Sequence, residues 1–95
     1  MKTIENKMVQ AVNSGKNFRC SNTEVERTET GCNVYLHGNN IYSVINGTAF
    51  FTLAGWNTVT TKSRLRALGV DVRTRNYVVY YNGVAINSYT WYEVK

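Results

Sequence analysis

Apolar residues recur with a helical period in two stretches of the chain and with a period of two elsewhere. Near the start, Ile4, Met8 and Val12 fall at i, i+4 and i+8 with Ala11 beside them, giving a helix one apolar side. Thr3 can cap this helix, Glu5 in its first turn suits the positive end of the helix dipole, and Asn13-Ser14-Gly15 stops it. A helix of about ten residues does not stand alone in water, so it must dock on something apolar. Lys16 to Asn22 reads as a connector anchored by Phe18.

From Thr23 the period changes to two. TEVERTE alternates Val25 with charged neighbours, the pattern of an exposed or edge strand. After a turn at Glu29-Thr30-Gly31, CNVYLH places Cys32, Val34 and Leu36 on one face and Asn33, Tyr35 and His37 on the other. Gly38-Asn39-Asn40 turns the chain again, and IYSVI sets Ile41, Ser43 and Ile45 opposite Tyr42 and Val44. Asn46-Gly47 is a strong type I′ hairpin signal. It leads into TAFFTLA, with Ala49, Phe51 and Leu53 on one face and Phe50 on the other. These four segments predict an antiparallel meander.

A second helix is predicted over roughly Thr60 to Leu68, with Leu65 and Leu68 as a narrow apolar stripe near Thr61 or Ala67. Its opposite face carries Lys62 and Arg66, with Arg64 at the flank. Thr58, Thr60 and Thr61 all qualify as its N-cap, and Gly69 stops it. Strand patterning returns in VDVRTR and NYVVYY, and Asn82-Gly83 repeats the hairpin signal before VAINSYTWYEV. The order α-β-β-β-β-α-β-β predicts an α+β fold, a single domain over residues 1–95. An antiparallel sheet of about five to six strands carries two short helices on one face.

Composition fits that picture. The 95 residues hold one modest core, and 43% hydrophobic against 18% charged argues for a folded chain. With no Pro, turns fall to Gly and Asn. Cys20 and Cys32 with the single His37 cannot furnish a four-ligand zinc site. A disulfide would need strands to bring the two thiols together; without other signs of secretion they read as reduced. The amino terminus lacks the apolar core of a signal peptide, and no window is apolar enough to span a membrane. The expectation is a soluble protein of the cytoplasm.

Candidate chemistry concentrates between Gly55 and Arg75, GWNTVTTKSRLRALGVDVRTR. Lys62, Arg64, Arg66, Arg73 and Arg75 against Asp71 give this segment +4 of the chain's net +5. Unpaired N–H groups at a helix start, hydroxyls and nearby cations together make an anion site. Thr60, Thr61 and Ser63 would bond phosphate oxygens, and Lys62, Arg64 and Arg66 would supply charge, with Arg73 and Arg75 extending the patch along the next strand. Tyr77 or Tyr80 would offer a stacking surface beside it. The competing reading is structural: threonines that cap, cations that solvate a helix, tyrosines that pair across strands.

No catalytic or metal constellation is present. His37, in LHGNN, has no Ser, Cys or Asp placed to make a dyad, and reads as a turn residue. Glu24, Glu26 and Glu29 against Arg27 read as a solubilising strand rather than a carboxylate pair. Trp56 is expected to cover the helix–sheet junction, and Trp91 to belong to a C-terminal strand core. No cofactor is implied.

The run YLHGNNI, then AGW, then NTVTTKSRLRALGV resembles small accessory proteins of tailed bacteriophages that carry an "LHG-N-I" turn followed by a "GW-T-TT-SRLNAL" segment. Arg66 stands where that segment has Asn. The likeness covers about Tyr35 to Leu68 and implies a viral protein of the host cytosol, without implying a reaction. The order of helix, strand meander and basic helix also resembles double-stranded-RNA-binding domains, which implies a helix start laid across phosphates. The extra strand and trailing hairpin depart from that layout.

Two expectations follow: a non-enzymatic module binding nucleic acid, or an anti-defence or host-takeover inhibitor (anti-CRISPR-like) that binds an acidic host protein surface. Open strand edges also leave homodimer pairing available.

Overall fold

A computed structural model describes residues 3–95. The chain begins with helix α1, Thr3–Ser14, whose buried side is Glu5, Met8 and Ala11 rather than the expected Ile4–Met8–Val12 line. The helix is rolled toward Glu5, for a reason given below. The expected connector is in fact a strand, β1, Phe18–Cys20, joined by a two-residue turn to β2, Thr23–Arg27. Because β1 occupies the edge, β2 lies inside the sheet and Val25 is fully buried, correcting its reading as an exposed or edge strand.

Strands β3, Gly31–Leu36, β4, Asn39–Ile45, and β5, Thr48–Phe51, complete the meander. A final strand, β9, Tyr92–Glu93, pairs with β5, so the sheet order is β1-β2-β3-β4-β5-β9, antiparallel throughout. One row of cross-strand neighbours, Val25, Val34, Tyr42, Phe51 and Tyr92, faces the core; the next row, Glu26, Asn33, Ser43, Phe50 and Glu93, faces away. Gly31 sits so close to β4 that an added Cβ would lie 2.0 Å from the Val44 carbonyl oxygen.

The strand faces expected for β4 are reversed after Ile41. Val34 pairs with Tyr42 but Tyr35 pairs with Asn40, so Ile41 is an extra residue in a β-bulge. Ile41 and Tyr42 are both buried as a result, Tyr42 and Val44 share the core face, and Ser43 and Ile45 point outward. Ser43 is satisfied there by donating to Asn33 Oδ1 at 2.7 Å and accepting from Asn40 Nδ2 at 3.1 Å.

Helix α2, Val59–Ala67, follows, and then a second sheet of β6, Val72–Arg75, β7, Val78–Tyr81, and β8, Val84–Ala85, in that order. Helix α1 packs on β1 and β2, α2 on β4 and β6, and the helices touch each other. Met8, Leu65, Val70, Val72, Val79 and Tyr81 join the sheet residues in one buried cluster. The Phe51 and Tyr81 rings meet edge-on at 4.9 Å between centroids, bridging the two sheets. Tyr81 also pins the C-terminal residue, accepting from the Lys95 N–H at 2.7 Å and donating to its carbonyl at 3.1 Å. Trp91, expected in a strand core, lies at the surface with 43% exposed.

Among the described residues no helix is long and apolar enough to cross a membrane. Both thiols are free, Cys20 exposed and Cys32 buried. Cys20 pairs with Thr23, and Thr23 with Leu36, four residues along β3 from Cys32. That separation is roughly 13 Å along the strand, far beyond the roughly 7 Å limit between Cα atoms for a disulfide.

Candidate nucleic-acid interface

The start of α2 settles which hydroxyl caps it. Thr58 has extended backbone (φ −106°, ψ 159°), and its Oγ1 accepts the Thr61 N–H at 3.1 Å. The Thr58 and Thr61 hydroxyls lie 2.9 Å apart, and Thr61 is buried beneath the cap. Thr60 is half-buried at a cavity of about 340 Å³ whose wall is Leu36, His37, Ile41 and Trp56. Trp56 is more exposed than a junction cover would be. His37 occupies the β3–β4 turn with φ +51°, its N–H donating to the Asn22 carbonyl at 2.8 Å.

The expected outward placement of the helix cations holds for Arg66 alone. The buried side of α2 includes Thr61, Arg64 and Leu65, at i, i+3 and i+4, so Arg64 occupies a position that an apolar residue ordinarily fills. Its guanidinium donates through Nη1 to Glu5 Oε2 at 2.7 Å, through Nε to Thr23 Oγ1 at 3.1 Å and through Nη2 to Asn22 Oδ1 at 3.4 Å. Ser63 donates to the same Glu5 oxygen at 2.6 Å. Both side chains of the Glu5–Arg64 pair are about 95% buried, exposed by only 5% and 6%. Glu5 is therefore the counter-ion that rolls α1 inward, not only a first-turn dipole residue.

Lys62 is also turned in, with 9% of its surface exposed, and its ammonium hydrogen-bonds the Thr74 hydroxyl on β6. It has no ion-pair partner among the described residues. Thr61, Lys62, Ser63 and Arg64 thus tie α2 to its neighbours. The likeness to a helix start laid across phosphates fails on the same ground, because the basic side chains of that turn point into the protein.

The strand half of the patch lies differently. In β6, Val72 faces the core while Arg73 and Arg75 alternate onto the solvent face, paired with Tyr80 and Val78 of β7. Arg66 reaches the same strand, donating to the Val72 carbonyl at 3.2 Å. Arg73 meets Asp71 at 2.7 Å, but with 74% and 62% exposure the pair is a weak, solvent-screened one. Arg75 has no hydrogen-bond or ion-pair partner among the described residues. Asp71, Arg73 and Arg75 border a shallow depression of about 480 Å³ that also takes in Asn76, Tyr80 and Asn82. The site is therefore a sheet face of Arg73 and Arg75 with Tyr80, with the exposed Arg66 held at the Val72 carbonyl of the same strand.

Sequence reasoning missed the turn at Asn76-Tyr77, which separates β6 from β7. Both residues have positive φ, +51° and +67°, the type I′ pattern without its usual glycine. The Asn before Tyr77 was the available signal.

Among the described residues no group of three or more His, Cys, Asp or Glu side chains converges as a metal site would. No curated protein and no solved structure gives a significant match to the chain. Residues 1–94 match the family described as Kyanoviridae Gp96 protein, and the chain belongs to that family of phage proteins.

Proposed function

We propose that this phage protein is a non-catalytic module that binds nucleic acid on the outer face of β6–β8. The observation that carries the reading is the alternation of β6, which brings Arg73 and Arg75 onto one solvent face beside Tyr80. Arg66 adds an exposed cation at the Val72 carbonyl of the same strand. Acids elsewhere favour this side as well: Glu24, half-buried, and the exposed Glu26 and Glu93 lie on the outer face of the six-stranded sheet. Cations gather phosphates, and the depression between Arg75 and Asn82 gives a backbone somewhere to lie.

Three cations, Arg66, Arg73 and Arg75, neutralising phosphates of a single strand give a salt slope, log affinity against log salt, of about −2.1. Fluorescence anisotropy of labelled single-stranded and duplex oligonucleotides over a salt series measures it. The Arg73→Ala/Arg75→Ala variant should bind more weakly with a slope near −0.7. Unchanged affinity and slope in that variant remove the proposal.

A second reading, an inhibitor that blocks a host protein, is favoured by one observation. Trp56 stands exposed in the wall of the cavity at the amino end of α2, and Val59 in the first turn of that helix is exposed as well. A stoichiometric partner recovered from nuclease-treated host lysate, and lost with Trp56→Ala, would replace the first reading by this one.

A further inference from the structure

Four hairpins among the described residues close through two-residue loops with positive φ at both positions: His37-Gly38, Asn46-Gly47, Asn76-Tyr77 and Asn82-Gly83. Three of them place glycine second, where the left-handed region costs it nothing. The fourth holds Tyr77 at φ +67° with 96% of its surface exposed. Its ring makes no aromatic contact and its hydroxyl no hydrogen bond among the described residues. The residue is strained, exposes a large ring to water and returns no packing. Glycine would relieve both faults, and the chain uses glycine at the equivalent place three times. A side chain kept against folding in this way is explained by what it touches outside the protein.

The surroundings say what that is. Arg75 lies two residues before Tyr77 and Arg73 four before, both on the solvent face of the strand that leads to the tip, with Tyr80 across from Arg73. Cations along a strand and an aromatic ring beyond them are the two parts of single-strand recognition, a track for phosphates and a platform for bases. A ring on a narrow hairpin tip reaches a base that is free to turn out; in a duplex the bases are already stacked on each other. We infer that Tyr77 is a base-stacking anchor and that the ligand class is nucleic acid with unpaired bases. This rests on the reading of the β6–β8 face given above.

The experiment uses the full chain and a single-stranded oligonucleotide of about 12 nucleotides carrying 2-aminopurine, whose fluorescence is quenched on stacking. Wild type should quench the probe and prefer it to the matching duplex. Tyr77→Gly should bind about tenfold more weakly and lose the quenching, with the salt slope unchanged because the phosphate contacts remain. Tyr77→Phe should keep both, since the ring and not the hydroxyl does the stacking. The melting temperature of Tyr77→Gly should equal or exceed that of wild type, which separates lost contact from lost fold.

If Tyr77→Gly binds and quenches like wild type while Arg73→Ala/Arg75→Ala binds weakly, the anchor is refuted and the phosphate-binding face stands. If wild type binds duplex as well as single strand, the inferred ligand class is wrong. If wild type binds neither, both the inference and the reading beneath it fall. A loss confined to a host-protein complex, with oligonucleotide binding intact, also overturns the inference.

Discussion

Removing the Glu5 carboxylate should cost this protein a large share of its stability without changing the chemistry of the proposed binding face. The Arg64 Nη1 to Glu5 Oε2 contact is 2.7 Å, and both side chains are about 95% buried. At an effective dielectric of about 20, charges at that distance attract by about 6 kcal/mol. Taking each ion out of water costs several kcal/mol, so the intact pair contributes little net stability. Breaking it is another matter. In Glu5→Ala the guanidinium stays buried with only the Thr23 hydroxyl and the Asn22 amide oxygen facing it, and Ser63 loses its acceptor. The expected loss is about 3–5 kcal/mol, against a total of roughly 5–14 kcal/mol for a domain of this size. A loss of that size lowers the melting temperature by about 15–30 °C.

Urea denaturation followed by circular dichroism measures the change directly, and an unchanged dependence on denaturant would show that the unfolded state is not altered. The double variant Glu5→Leu/Arg64→Met should recover most of the loss, because an apolar pair of similar volume is neutral or better in a buried site. A Glu5→Ala cost below about 1 kcal/mol, the worth of a solvent-exposed pair, would mean that the pair is not buried as described. The assignment of Arg64 to structure rather than binding would then fail.

Other expectations are simpler to check. Under native conditions one thiol per chain, Cys20, should react promptly with a disulfide reagent and Cys32 only on unfolding; two fast thiols would contradict the burial of β3. Burial raises the Cys32 thiol above its ordinary 9.0 and the Tyr42 phenol above its ordinary 10.0, the thiolate of Cys32 adding to the second. Both groups are held neutral in the folded state, so their stability is fully present below those ordinary values and lost as pH rises from there through their raised folded-state values. Thermal melts should therefore show a fall beginning at about pH 9, reduced in Tyr42→Phe, and a flat profile would refute the direction. Gly31→Ala should destabilise by several kcal/mol, since its Cβ would meet the Val44 carbonyl oxygen at 2.0 Å and strand β4 cannot step back without losing its pairing. A tolerated Gly31→Ala would place β3 and β4 further apart than described.

The four-strand meander and both Asn-Gly hairpins were legible in the sequence because period-two patterning and turn chemistry are local signals. Asn46-Gly47 and Asn82-Gly83 close the hairpins they predicted. The β-bulge at Ile41 was not legible, since a single extra residue reverses every face after it while the apolar pattern reads equally well either way. Strand β1 was hidden because three residues carry too little pattern to declare a strand.

The helix patch shows the sharper limit. Lys62 and Arg64 read as solvated because basic residues on a short helix usually are. Yet Arg64 falls three residues after Thr61 and one before Leu65, within the buried side of α2. Glu5 falls three before Met8, on the buried side of α1. Two opposite charges, each placed in an apolar stripe, were the available sign that each is the other's partner. The strand cations needed no such inference: alternation alone puts Arg73 and Arg75 opposite Val72.

The account stands most directly on where a single-stranded oligonucleotide touches the protein. Amide and arginine side-chain chemical shifts, followed by nuclear magnetic resonance during titration with such an oligonucleotide, report this residue by residue. The predicted result is saturable change confined to Arg66 and the run from Asp71 to Gly83, largest at Arg73, Arg75 and Tyr77, with the Glu5–Arg64 network undisturbed. Changes centred on His37, Trp56 and Thr60, or none at all at millimolar oligonucleotide, would contradict it.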